Sequence, residues 1–425
     1  MYDYYHSKQD HILRVVGTLG EASVWDFAGL SDTVVVAVID DGITEHWDLP
    51  LDRILPGRDF NTGDTSHLTD DDPSPGYEEG HGMGCAGIVA ASHSTDPNDS
   101  TDFHTGVMSM NPAVKVLPVK IFADTDTSST LTYSLLADAI SWAYLNGADV
   151  LSNSWGWEDS TVYGTEEITA AIYNAFMYGR GGMGCPVVFS SGNWSHPWVS
   201  YPASLSYSLA VGALTLADTA FDYSQYGEHL DLMAPSGKHL TDDVWTLDQR
   251  FAAGENPNYI GSHKDPIIWD CTLLEGINDD NINCHFGGTS AACPVVSGAA
   301  SLLLARDSTL SSQVIYEILK HTAVRLWEDT TMERDFNYGY GRVDAFRALL
   351  SISRGDADNN DVIDVGDLTT IIDYLFNTFE PPFPDPLLAD CDCSGSVDVG
   401  DVSAMIDHLF ILFADFPYPC FEFGN

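Results

Sequence analysis

The chain has 425 residues, 44 % of them apolar, which is enough for one large folded domain and a smaller one. Asp and Glu number 63 against 17 Lys and Arg, and the resulting charge of -46 repels nucleic acid and attracts cations. No uninterrupted apolar run of 18 residues occurs, so no membrane span is expected. Met1 to His6 lacks the basic and apolar segments of a signal peptide, and the sequence as given reads as a mature or trimmed form.

In chain order, the apolar run 34–39 carries the mark of a strand buried on both faces of a parallel sheet. It ends at Asp40-Asp41-Gly42, and a carboxylate at the carboxyl end of such a strand stands in the crevice where open α/β sheets bind ligands. Residues 80–91, beginning Gly80-His81-Gly82, read as a glycine turn opening a tightly packed helix with an imidazole in its first turn. The positive end of that helix would lower the His81 pKa and keep the ring neutral as a base. A strand is expected at 114–121, an amphipathic helix at 131–145, and a strand running from Asp149 into Ser154-Trp155-Gly156. Residues 166–178 give a further helix, and the strand 186–191 ends in Gly192-Asn193, where the amide of Asn193 could reach the same crevice. The alternation of strand and helix predicts a doubly wound parallel α/β sheet.

The strongest stretch is Phe286-Gly287-Gly288-Thr289-Ser290-Ala291-Ala292-Cys293-Pro294, followed by an almost wholly apolar run to Leu304. A hydroxyl behind two glycines, at the start of a buried helix, is where an acyl-transfer enzyme places its nucleophile. Unpaired N–H groups at that terminus would stabilise an oxyanion. Cys85 and Cys293 fall in small-residue helices and read as inert buried thiols, whereas Cys271 and Cys284 are the best local disulfide pair. Connectivity among Cys391, Cys393 and Cys420 is left open.

Together Asp40, His81, Asn193 and Ser290 resemble the catalytic motifs of the subtilisin-like serine proteases, in the order Asp, His, Ser that is itself the standard illustration of that family. Supporting matches are Val211-Gly212-Ala213, the stretch 231–235 and Tyr340-Gly341-Arg342-Val343, and the similarity covers residues 15–350. It implies a doubly wound subtilisin-like domain in which Asp40 orients His81, Ser290 attacks a peptide carbonyl, and Asn193 with the Ser290 N–H holds the oxyanion. An extended substrate would pair against Ser154-Trp155-Gly156. Asp40-Asp41-Gly42-Ile43, Ser154-Trp155-Gly156, residues 179–184 and Cys85 resemble the kexin and furin branch, which implies a basic-residue pocket built on Asp41, Glu158 and Asp159, while Trp155 and Trp157 could wall an apolar one. Met83, Gly84 and the lack of an acidic, cysteine-rich loop after Asn193 depart from that branch. Asp48 matches a family calcium ligand.

Residues 356–367 recur at 390–401, an offset of 34. Oxygen-bearing side chains stand at loop positions one, three, five, nine and twelve, with a backbone carbonyl at seven. The first loop offers Asp356, Asp358, Asn360, Val362, Asp364 and Asp367, the second Asp390, Asp392, Ser394, Ser396, Asp398 and Asp401. This is the EF-hand calcium pattern. Helices are expected at 368–376 and 402–410. An Asp at position twelve resembles dockerin type I repeats, which implies a small α-helical module at 351–425 after a peptidase domain at 1–350, and either a cohesin-type partner or a self-contained calcium module. Residues 351–355 are the expected linker, and Pro381-Pro382-Phe383-Pro384 a stiff spacer.

The expected protein is a secreted or cell-surface serine endopeptidase acting on proteins or peptides, with calcium as its cofactor. The alternatives are a catalytically silent display protein on the same fold and a thiol enzyme using Cys85 or Cys293.

Overall fold

The computed structural model describes residues 10–16, 18–19, 22–27, 33–61, 73–75, 80–92, 107–122, 132–238, 244–248, 282–329, 331–360, 362–382, 385–413 and 416. A helix, α1 (Asp10–Val16), precedes the sheet and buries Ile12, Val15 and Val16. The sheet strands are β1 (Val35–Asp40), β2 (Arg58–Asp59), β3 (Lys115–Lys120), β4 (Val150–Asn153), β5 (Val187–Ser190), β6 (Leu209–Leu214) and β7 (Leu232–Pro235). They lie in the order β2-β3-β1-β4-β5-β6-β7, and every pairing is parallel. Parallel strands covered by helices bury both faces, which is why β4, β5, β6 and β7 are buried at every residue and carry few polar side chains.

Helices α2 (His81–Ala90), α3 (Tyr133–Leu145), α4 (Glu166–Gly182) and α5 (Gly288–Arg306) connect or cover these strands. Helix α3 begins two residues later than the pattern predicts, because the Thr132 hydroxyl accepts the Leu135 N–H and caps the first turn. In α4 the backbone leaves helical geometry at Gly179, Arg180 and Gly181, so regular helix ends near the expected Tyr178. Helix α5 contacts β1, β4, β5, β6 and β7 as well as α2. By length and composition it is the described helix that could cross a membrane, a possibility the unbroken-run criterion had missed. It instead buries its side chains from Thr289 to Leu304 in the protein core. Two further helices, α6 (Ser312–His321) and α7 (Ala345–Ile352), complete this layer.

The C-terminal segment forms α8 (Val365–Phe376) and α9 (Val399–Ile406), followed by a five-residue π-helical turn over Asp407–Ile411. Both helices start three residues before the predicted position. Asp364 and Asp398 accept the N–H of Gly366 and Gly400, and Asp367 and Asp401 accept the N–H of Asp364 and Asp398, a reciprocal cap that extends each first turn. Ala357, Ile371, Ala389, Cys391 and Met405 form a small apolar cluster of their own.

The expected linker is corrected. Ser351, Ser353 and Arg354 are at most 9 % exposed, and Leu388, between the two loops, is fully buried in the main core. The chain turns here without a solvated spacer. Of the proline-rich stretch, Phe383 and Pro384 lie outside the described residues, as do Cys271 and the side chain of Cys284. Cys393 is disulfide-bonded, and Cys85, Cys185, Cys293 and Cys391 are free.

The tightest approach on α5 is at Gly298, where a Cβ would lie 2.2 Å from Cβ of Met110. Met110 is itself fully buried, so neither backbone can yield cheaply. Gly298→Ala is expected to destabilise the fold by about 1–3 kcal/mol through overpacking, read as a lower urea midpoint at unchanged slope.

Candidate active site

Strand β1 ends on Asp40, only 2 % exposed, and helix α2 begins on His81. The two meet across the top of the sheet: His81 Nδ1 lies 2.8 Å from Asp40 Oδ1, which also accepts the Asp41 N–H at 2.9 Å. Asp40 Oδ2 has no hydrogen-bond partner among the described residues. The imidazole stays 39 % exposed, open to the cleft. Burial opposes its charge, but the Asp40 carboxylate, with smaller help from Cys85, holds its pKa well above the ordinary imidazole value. This corrects the expectation of a lowered pKa: a carboxylate in contact outweighs the partial charge of a helix end.

Asp41 is positioned otherwise than expected. Its Oδ2 accepts the N–H of Gly80 and of His81 at 3.1 and 3.0 Å, and its Oδ1 accepts that of Gly82 at 2.6 Å. The carboxylate thus caps α2 and positions the backbone that carries His81. Burial and the neighbouring Asp40 nevertheless raise its pKa.

Ser290 is the third residue of α5 and 9 % exposed. Gly288, two residues earlier, has φ +71°, a left-handed backbone that favours glycine, and a Cβ there would lie 3.1 Å from Asn193 Nδ2. Ser154 Oγ donates to the Ser290 carbonyl at 2.9 Å, and Ser290 Oγ donates to the Ser154 carbonyl at 3.4 Å rather than to His81. Such contacts commonly tighten only when substrate is bound. Asn193 Oδ1 accepts both the N–H and the hydroxyl of Thr289, at 2.8 and 2.9 Å. That fixes the amide orientation and leaves Nδ2 as the donor end.

Asp40, Asp41, His81, Ser154, Trp155, Gly156, Asn193 and Ser290 all line one cavity of about 390 Å³. A larger cavity of about 1000 Å³ lies beyond the Val199–Tyr201 segment and holds none of the residues named so far for chemistry, so size does not locate the site. Asp159 lines neither cavity; it is exposed, and its carbonyl accepts the Tyr201 N–H, so it is no wall of the cleft. Glu158 points to His196, with Oε1 2.8 Å from Nε2. Sequence reasoning missed Thr289, Ser190, Ser200, Phe122 and Trp194. Only Thr289 carried a signal, its place beside Ser290; the others reach the cavity from separate loops and strand ends.

The thiol alternative is corrected as well. Cys85 Sγ lies 3.9 Å from His81 Nδ1, but burial pushes its pKa up to about 11 and that of Cys293 up to about 12, so both stay protonated near neutrality.

In the C-terminal loops, carboxylate oxygens of Asp356, Asp358 and Asp367 converge within 4.8 Å of one another, and those of Asp390, Asp392 and Asp401 do the same. Burial, opposed by backbone hydrogen bonds but reinforced by the neighbouring carboxylates, raises the pKa of Asp367 and Asp401. That is crowding which a cation would relieve, so the donor set fits calcium. Asp364 and Asp398 cap helices but stay beside the clusters: a Cβ on Gly366 would meet both Asp358 and Asp364, and one on Gly400 both Asp392 and Asp398. Asn360 Oδ1 accepts the Val362 N–H, and Ser394 Oγ donates to the Ser396 carbonyl, so these four are engaged within their loops. Asp48 is fully buried, with Oδ2 accepting the Val107 N–H, and joins no carboxylate cluster among the described residues.

Fold and cleft together define an open α/β protein with its polar site at the carboxyl ends of a parallel sheet. The chain belongs to the subtilase family (peptidase S8), whose model matches residues 31–341. It is 29 % identical over 350 residues to a calcium-dependent protease of Nostoc sp., covering 77 % of this chain and 47 % of that protein. It is 31 % identical over 333 residues to halolysin of Haloferax mediterranei, covering 77 % and 51 %. The chain thus spans about half the length of these curated relatives. A protease of Pseudoalteromonas arctica shares the fold with a TM-score of 0.59 at 24 % identity, over 82 % of this chain and 98 % of that one.

Because Asp40 holds the His81 pKa up, their pairing favours the folded state fully below the unfolded value near 6.5, and that contribution fades as pH rises through the raised folded value. An NMR titration of His81 should therefore show a midpoint above 6.5, and Asp40→Asn should move it down. A midpoint unchanged by Asp40→Asn would refute the assigned cause.

Proposed function

We propose that the chain is a serine endopeptidase that cleaves proteins or peptides through an acyl-enzyme. The observation that carries this reading is the Asp40–His81 contact at 2.8 Å in the same cavity as a helix-start serine. Asp40 holds His81 in the tautomer whose Nε2 takes the Ser290 proton; Ser290 Oγ attacks the carbonyl. His81 then protonates the leaving amine, and water releases the acyl group. Asn193 Nδ2 and the Ser290 N–H stabilise the oxyanion, a role supported by the Thr289 contacts that aim the amide. The substrate backbone lies against Ser154-Trp155-Gly156. A silent display protein has no need of an amide oriented in this way.

For specificity, the geometry favours a large apolar side chain beside the cut bond over the basic one of the kexin and furin branch. Asp41 is engaged with three backbone N–H groups, Glu158 with His196, and Asp159 stands outside, whereas Phe122, Trp155 and Trp194 line the cavity. The loops at 356–367 and 390–401 are read as EF-hand-like calcium sites of a dockerin-like tail, with Asp48 as a ligand in the peptidase part. When bound, calcium would supply positive charge that holds converging carboxylates together. Support for a cohesin-type docking role comes from apolar side chains repeated 34 residues apart and left exposed: Val365 and Val399, Phe376 and Phe410, Phe379 and Phe413, all 53 to 74 % exposed. Secretion or cell-surface attachment accords with both parts.

Ser290→Ala should abolish casein cleavage and fluorophosphonate labelling without changing the fold, and Asn193→Ala should lower kcat by about a hundred- to a thousandfold. Labelling that persists in Ser290→Ala would overturn the assignment. In a peptide library, large aliphatic or aromatic residues should dominate just before the cut bond and be unaffected by Asp159→Asn; dominance of Lys or Arg would return the basic pocket.

A further inference from the structure

Each tail loop places its position-one carboxylate against an arginine that the 34-residue repeat does not supply. Asp356 Oδ2 lies 3.0 Å from Nη2 of Arg306, the last residue of α5, and Arg306 Nε donates to Ser353 Oγ at 3.1 Å. Asp390 Oδ2 lies 2.6 Å from Nη1 of Arg354, which also donates to the Asp390 carbonyl at 3.0 Å. The residue 34 places after Arg354 is Leu388, and Arg306 lies outside the repeat, so the arginines belong to this chain's own joining of tail and catalytic body. Both contacts are sequestered: the side chains are 13 % and 3 % exposed in the first pair and 8 % and 0 % in the second. They meet at the adjacent residues Ser353 and Arg354, beside the Gly355 N–H that donates to the Leu388 carbonyl at 2.7 Å.

We propose that Arg306 couples calcium loading of the first tail loop to the helix that carries Ser290, with Asp356 shared between the ion and the guanidinium. The proposal rests on the calcium reading of the tail. Asp356 Oδ2 faces Arg306, while Oδ1 faces the loop and accepts the Asn360 N–H, so the two cations use opposite sides of one carboxylate. Repulsion between the two cations opposes the coupling, and the positioning of the one carboxylate they share favours it and sets its sign. Asp356, Asp358, Asp361, Asp364 and Asp367 bring five negative charges to the loop and a divalent ion offsets only two of them, so the guanidinium still sits in an attractive, though weaker, field after calcium binds. Calcium fixes Asp356 where Arg306 needs it, and Arg306 fixes Asp356 where calcium needs it; linkage makes the two effects equal. Helix α5 is thereby clamped at the end opposite its nucleophile.

The test uses the full chain carrying Ser290→Ala, which prevents self-digestion. Calorimetric calcium titration is combined with hydrogen exchange of residues 298–306 with calcium and with chelator. Calcium should slow exchange in this segment by about fivefold or more, a typical coupling. Arg306→Gln should remove that calcium-dependent slowing and weaken one calcium site by a similar factor, leaving the second loop's site in place. Asp356→Asn should act alike, and the double variant should be no worse than either single one. Arg306→Lys keeps the charge but cannot bridge Ser353 and Asp356 together; it should retain part of the slowing and guards against a merely misfolded Gln variant. Equal calcium-dependent slowing in Arg306→Gln and its parent would overturn the coupling while leaving the calcium reading intact. No loss of calcium binding in Asp356→Asn/Asp390→Asn would overturn both.

Discussion

A helix can lie across five buried parallel strands only if the face it presents is nearly flat, and α5 meets that constraint with glycine, alanine and serine. At Gly298 the approach to Met110 leaves no room for a single methyl group, and Ser297 settles its hydroxyl on Ser152 at 2.9 Å and on the Cys293 carbonyl at 3.1 Å, so few polar groups are buried without a partner. Everything at the cleft follows from where this helix starts. Its first turn opens at the carboxyl ends of β4 and β5, so Ser290 meets Ser154 and Thr289 meets Asn193.

Buried charge obeys a second rule in a chain with 63 acidic and 17 basic residues. A carboxylate taken from water must find a cation or several N–H groups. Asp40 finds His81, Asp41 finds three backbone amides, and Asp356 and Asp390 find arginines. Three of the arginines, Arg180, Arg306 and Arg354, stand at joints. Arg180, for example, reaches three backbone carbonyls, of Gly184, Ser308 and Leu310, and ties the end of α4 to the loop after α5. A guanidinium suits such places because its planar fork makes several directed bonds at once.

The same rule separates two kinds of acidic residue that look alike in a sequence. Asp41, Asp364 and Asp398 each stand where ligand or substrate contact is expected, yet each accepts backbone N–H groups at a helix start. Asp367 and Asp401 do both, receiving backbone donors while crowding other carboxylates closely enough for their pKa to rise. Capping is a local reward available to any Asp near a helix start, so a spacing pattern alone does not separate a cap from a ligand.

Periodicity and position were enough for the parallel sheet, since a run such as 34–39 has no stable place except between two covered faces. They also pointed to Asp40, His81, Asn193 and Ser290, which the fold brings to one cavity, because strand ends and helix starts are local features that glycine and small residues announce. The 34-residue repeat likewise placed both carboxylate clusters. What the tertiary structure alone decided is every role that depends on which loop faces which. It sent the Glu158 side chain to His196, brought Phe122 and Trp194 to the cavity, and buried Ser351, Ser353 and Arg354 where composition reads as a linker. It also set Arg306, at the far end of the Ser290 helix, against a tail carboxylate 50 residues away. Contacts of that separation are fixed by packing of whole elements, and no window of sequence contains them.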